Sequence, residues 1–148
     1  MVNFLGTVAI TNKELLEKKC DILVPAAVQS VITDENADKI KAKLIIEGAN
    51  GPTTTEAEKI LENKGVTIIP DVLANCGSAL VCSFERTQGL TDTYWDLETV
   101  NKKLKERILK AYTETIRTAR ENKTSFRNAA WINALIKISK AMKARGWI

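Results

Sequence analysis

Asp21-Ile22-Leu23-Val24-Pro25-Ala26-Ala27 is a short apolar run that stops at a proline and two small residues. The same design recurs twice downstream. Lys43-Leu44-Ile45-Ile46-Glu47 runs into Gly48-Ala49-Asn50-Gly51-Pro52, and Val66-Thr67-Ile68-Ile69-Pro70 runs into Asp71-Val72-Leu73-Ala74-Asn75. Runs of this length, bounded by Gly, Pro and Asn, fit strands buried on both faces. Helical stretches of about ten residues separate them, so the reading is a series of βαβ units in a parallel sheet. Thr33 opens a helix expected to reach about Lys41, and Thr53 to Thr55 open another expected to end at Lys64 with Gly65 beyond it. Upstream, Thr11-Asn12-Lys13-Glu14 has the spacing of a capping box, with a short helix through about Lys18.

Each strand ends in small or polar residues. Ligands of open α/β sheets sit just beyond such ends, where small side chains admit a flat molecule and Asn offers both a donor and an acceptor. A tight strand-to-helix turn also favours Gly and Asn, so a single loop of this kind does not decide between turn and site. Three on one sheet edge bring the two readings level.

From Gly77 the chain reads as helical. A first helix is expected to about Thr87, then a connection from Gly89 to Asp96, where Asp96 caps a long helix. In that helix Leu97, Val100, Leu104, Ile108, Tyr112 and Ile116 step by three or four and predict one buried stripe. A last helix runs from about Ser125 to Ala144, with Phe126, Ala130, Ala134, Ile138 and Met142 in register and Gly146 after its end.

Composition narrows the chemistry. The chain has 148 residues, 45% hydrophobic and 5% aromatic, so its core is mostly aliphatic. The net charge of +4 comes from 22 basic and 18 acidic residues, without a basic stripe interleaved with aromatics. A solvated surface accounts for it, and neither nucleic acid nor membrane is an expected partner. Lys137, Lys140, Lys143 and Arg145 cluster near a helix C-terminus, where cations are favoured. With no histidine, the usual Ser-His and Cys-His nucleophiles and His-ligated metals are excluded. Cys20, Cys76 and Cys82 show no CxxC spacing, which reads as three reduced thiols, and no metal site is expected. No signal peptide or membrane-length apolar run is present, and a cytoplasmic location is expected.

The strand-end segments go beyond pattern. Asp21 to Ala27, Ile46-Glu47-Gly48-Ala49-Asn50-Gly51-Pro52-Thr53-Thr54, Ile69 to Asn75, and Arg127-Asn128-Ala129-Ala130-Trp131 all resemble segments of the glutamate, leucine, phenylalanine and valine dehydrogenase superfamily, and of glutamate dehydrogenase in particular. The resemblance covers essentially the whole chain. It implies an α/β fold: a partial Rossmann-type parallel sheet of about three strands with flanking helices, βαβ units over 1–76, and a helical part over 77–148 ending in a pair of long helices. It also implies NAD or NADP as cofactor and oxidative deamination of an amino acid as the family reaction. Carried over position by position, Ala26 and Ala27 match small residues on the nicotinamide side of the cleft. Asn50 matches a contact to the nicotinamide riboside, and Asn75 lies beside nicotinamide and substrate. Cys82 falls where the family has a substrate-binding serine, with Ser83 next to it; a thiol is the weaker donor.

Other parts of the family apparatus are absent from these 148 residues. There is no G-x-G-x-x-G, whose glycines and helix N-terminus hold a pyrophosphate, and no acidic residue placed after it for the ribose. The family's catalytic lysine and proton-shuttling aspartate are missing too. Three readings follow: a dehydrogenase homologue that does not catalyse alone, with no catalytic residue assigned; an assembly or regulatory module that forms a homo-oligomer or pairs with a full-length dehydrogenase subunit; and a fragment of a longer enzyme. Met1 and the Gly146-Trp147-Ile148 end favour an intact short product.

Overall fold

The computed structural model describes residues 5–148, so Met1 lies outside the described residues. It is α/β, with a three-stranded parallel sheet and C-terminal helices. The chain divides into two compact units, Met1–Ile68 and Ile69–Ile148.

In the first unit the elements are α1 (Asn12–Leu16), β1 (Ile22–Leu23), α2 (Asp34–Ala37), β2 (Leu44–Ile46) and α3 (Thr55–Asn63), with β3 (Thr67–Ile69) running across the boundary. The strands lie in the order β1-β2-β3. β1 and β2 pair in parallel, Ile22 with Leu44 and Leu23 with Ile45. The Thr67 amide donates to the Lys43 carbonyl at 3.0 Å. One core holds Ile45 and Ile68 from the sheet, Ala57 and Leu61 from α3, and Ile32, Ala37 and Ile40 from the α2 segment.

The caps follow from sequence. Thr11 and Glu14 form the reciprocal capping box, which draws the Glu14 carboxyl below its ordinary range. The Thr54 hydroxyl accepts from the Ala57 amide, and Gly65 follows α3 at φ +76°, where a side chain would be strained. α2 is shorter than expected, closing at Ala37 rather than near Lys41. Asn36 accounts for part of this: its side chain accepts from the Thr33 amide and donates to the Val31 carbonyl, folding the segment on itself. Beyond it, the Lys64 ammonium donates to the carbonyls of Ala37, Asp38 and Ile40, alongside a single turn bond from the Ile40 amide to the Ala37 carbonyl at 3.2 Å.

The second unit contains α4 (Asp71–Ala74), α5 (Gly77–Thr91), α6 (Leu97–Asn122) and α7 (Phe126–Ala144). Two boundaries differ from expectation. Residues 71–74, read as a loop, form a helical turn. α5 continues through Gly89 to Thr91 and stops at Asp92, at φ +49°. Gln88 secures the turn that follows: its side-chain carbonyl accepts from the Trp95 amide at 2.6 Å. Trp95 in turn tilts against the buried Phe84, with Lys103 over its ring. Asp96 caps α6 by accepting from the Thr99 amide, as its position implied; that bond lowers its pKa.

The expected stripe along α6 is not a buried one. Leu97 is 75% exposed, Tyr112 is exposed, and Val100, Leu104, Ile108 and Ile116 are half-buried. Burial concentrates in the last turns, at Thr115, Thr118 and Ala119, where α7 packs. Small residues meet there, with Ala129 of α7 fully buried and the Thr118 hydroxyl donating to the Asn133 side-chain carbonyl at 2.8 Å. On α7, Ile138 is likewise exposed rather than in a core.

Lys137 of α7 reaches Glu114 of α6 at 3.0 Å. The hydrogen bond from Lys137 holds the Glu114 carboxyl below its ordinary range. A lowered carboxyl pKa contributes stability that is complete above the unfolded value and lost as pH falls through the folded one. Glu114→Gln is therefore expected to cost under ~1 kcal/mol at neutral pH and nothing in acid, since the Lys137 side chain is 64% exposed. Urea titrations of both proteins at pH 7 and pH 3 check this; an equal gap at both values would refute it.

Candidate functional site

The first two strand-end loops sit on neighbouring strands and touch. A Cβ on Gly48 would lie 2.9 Å from the Ala26 Cβ and 3.3 Å from its Cα, so only glycine permits the approach. The Ala49 amide donates to the Pro25 carbonyl at 2.9 Å, tying the loops together. The segment after Ala27 then folds back onto the second loop. The Ser30 amide donates to the Gly51 carbonyl, and those of Val31 and Ile32 donate to that of Pro52. Ile32 and Thr53 form an isolated parallel bridge that closes this layer. Pro25, Glu47, Ala49 and Pro52 are buried as a result, whereas Ala26, Ala27 and Asn50 remain exposed. The structure thus places these three candidates on two abutting loops, with little side chain on the outer surface and one amide among them.

In the second unit Asn75 closes α4 as its C-cap, at φ −105° and ψ 8°, and is half-buried. The Cys76 thiol donates back to the Leu73 carbonyl at 3.1 Å. Cys82 is exposed on α5, as is Ser83. Both Asn50 and Asn75 take part in further polar interactions.

One feature of this unit escaped sequence reading. Arg127, in the first turn of α7, bonds the Asp71 carboxylate at 3.1 Å, with the two side chains only 20% and 21% exposed. The residues lie 56 positions apart, and no periodicity connects them. The available signal was that each stands in a segment already singled out, one acidic and one basic. Among the described residues no group of three or more Cys, Asp or Glu side chains is placed to hold a metal ion.

A parallel sheet with glycine-relieved, asparagine-bearing loops after its strands is the architecture of an open α/β domain, whose ligands sit beyond those strand ends. The chain belongs to the Glutamate/Leucine/Phenylalanine/Valine dehydrogenase family, which matches residues 3–146. Among its relatives is the catabolic NAD-specific glutamate dehydrogenase RocG of Bacillus subtilis (strain 168), 44% identical over 148 residues, covering all of this chain and 35% of that protein. The NAD-specific glutamate dehydrogenase of Staphylococcus aureus (strain COL) is 44% identical over 138 residues, 93% of this chain and 33% of that protein. Among solved structures, glutamate dehydrogenase from Peptoniphilus asaccharolyticus matches with a TM-score of 0.79 at 41% identity, covering 84% of this chain and 32% of that one. The hetero-hexameric glutamate dehydrogenase from Thermus thermophilus, in its leucine-bound form, gives 0.89 at 26% identity, covering 97% and 35%. The chain therefore spans about a third of the length of the relatives it matches. No helix among the described residues is long and apolar enough to cross a membrane.

Proposed function

We propose that these residues supply the nicotinamide-side part of the cofactor domain, with the C-terminal helices, of an NAD-dependent glutamate dehydrogenase, and that by themselves they do not oxidise glutamate. The observation that carries this reading is the abutting pair of loops in the first unit, where Gly48 lets Ala26 close in and leaves Ala26, Ala27 and Asn50 exposed. Those positions suit a flat ring with a riboside: two methyl groups offer a low surface and Asn50 a hydrogen-bonding amide. NAD, when bound, accepts hydride at its nicotinamide. The role of this chain's residues is to seat that ring. Asn75, in the second unit, is assigned to the nicotinamide and substrate side, and Cys82 to the place of a substrate-binding hydroxyl, with a weaker donor.

The lack of a phosphate-binding glycine motif in these 148 residues sets the expected affinity. Most of the binding of a dinucleotide comes from its pyrophosphate and adenosine ribose. NAD should bind this chain no more tightly than ~1 mM, about 4 kcal/mol. A titration followed by amide chemical shifts should perturb Ala26, Ala27 and Asn50 first. Calorimetry giving micromolar binding, or shifts confined to other residues, would overturn the reading.

A second reading, pairing with the remainder of a dehydrogenase subunit, is favoured by one observation. Ile22 and Val24, at the sheet edge formed by β1, are each 54% exposed. Parallel strands are normally covered on both faces, so this edge has the character of a sheet interior.

A further inference from the structure

We infer that Arg127 is a positioning residue for Asn75, acting through Asp71 and the single turn of α4. The inference rests on the assignment of Asn75 to the nicotinamide side.

α4 has little to hold it by itself. It is four residues long, far below the length at which a helix sustains itself in water. Its N-cap position is Pro70, which provides no side-chain acceptor for the first turn. Asp71 takes over that task, its Oδ1 accepting from the Val72 amide at 2.7 Å. The same oxygen accepts from Arg127 Nη1 at 3.1 Å. Because both side chains are about four-fifths buried, neither charge is left to water, and the carboxylate is fixed between its own helix and α7. Leu73, buried, is the turn's apolar anchor. The next turn-closing bond is from the Asn75 amide to the Asp71 carbonyl at 3.0 Å. Arg127 therefore holds one end of a turn whose other end is Asn75. α7 is in turn held to α6 by Thr118, Asn133 and Ala129, so the arginine projects from a fixed helix. Removing the guanidinium takes away the bond that ties the Asp71 carboxylate to α7, and the turn that ends at Asn75 loses that support.

The test uses the full chain and compares Arg127→Met, Arg127→Lys and Asp71→Asn with Thr118→Val, which weakens the α6–α7 seam without touching α4. Amide exchange at Leu73, Ala74 and Asn75 is expected to quicken at least ~10-fold in Arg127→Met and Asp71→Asn, as breaking a largely buried pair requires, and to change little in Thr118→Val. Arg127→Lys should recover part of the protection, since it keeps the charge and loses the fork. Nicotinamide mononucleotide, titrated while the Asn75 side-chain amide is observed, should shift that signal in the wild type and in Thr118→Val and fail to do so in Arg127→Met. Should Arg127→Met not fold, Asp71→Asn gives the same reading. Exchange at 73–75 that is unchanged in these variants, or that rises equally in Thr118→Val, overturns the inference whatever the ligand does. The exchange effect in the variants together with no nucleotide shift at Asn75 in the wild type sinks its assignment to the nicotinamide, and the inference with it. A nucleotide shift that survives in Arg127→Met sinks the inference alone.

Discussion

Leu61→Ala is expected to destabilise the first unit by about 2–5 kcal/mol, the cost of truncating a fully buried leucine in a core that collapses only partly. Leu61 is wholly inaccessible, as are Ala57 one turn before it and Ile45 on β2. α3 is only nine residues long and presents this one stripe to the core. A unit of this size has a small total stability, on the order of 0.05–0.15 kcal/mol per residue, so the loss is comparable to the whole. The loss should appear as collapsed amide protection at Leu44–Ile46. Fluorescence would miss it, because Trp95, Trp131 and Trp147 all lie in the second unit. Leu90→Ala, at a position 77% exposed, serves as the comparison and should change stability by less than ~0.5 kcal/mol. A Leu61→Ala cost below that of Leu90→Ala would show that the core is not where the burial pattern puts it.

The strands and caps were legible because their determinants are local. A run such as Leu44-Ile45-Ile46 stopped by Gly48 has few alternatives, and Thr11, Thr54, Asp96 and Ser125 each cap a helix from the position that their spacing implies. Errors arose where a remote or unusual partner intervenes. α2 ends early where Lys64, from beyond α3, bonds the Ala37 carbonyl and those of Asp38 and Ile40 after it. α5 runs through Gly89 because glycine is tolerated inside a helix at a cost of about 1 kcal/mol, and Gln88 and Asp92 mark the end instead. The α6 stripe illustrates a more general limit. Periodicity determines which residues share a face, so Leu97 and Ile108 do align, but what covers that face lies outside the pattern. For the candidate site, the position of Ala26, Ala27 and Asn50 just after strands could be read directly. The contact between Gly48 and Ala26 could not, since it depends on how closely two loops approach. Nor could the pair of Arg127 and Asp71, because opposite charges are common and only the fold selects partners.

Glutamate oxidation is expected to be absent from this chain alone and to appear when it is mixed with the remainder of a dehydrogenase subunit, such as the Bacillus subtilis protein expressed without the third that this chain matches. The rise over the blank should be at least ~10²-fold, because cofactor and proton-transfer groups become productive only when held in register. The proposed docking surface is the β1 edge. Leu23 faces the core, whereas Ile22 and Val24 project on the other side and are more than half exposed. An added parallel strand would use the free backbone groups of β1, and the helix that must accompany it would cover those two side chains. This assigns the edge one occupant, the residues that the relatives possess beyond the matched third, and predicts how it can be blocked. Ile22→Lys with Val24→Lys places two charges on the edge, a device by which natural edge strands resist pairing, and should abolish the restored activity while the chain stays folded by circular dichroism. Turnover by the chain alone would overturn its proposed dependence on the missing groups. Mixing that yields neither a complex nor turnover would overturn the edge assignment. A homodimer that the double variant disrupts would give the edge to a second copy instead.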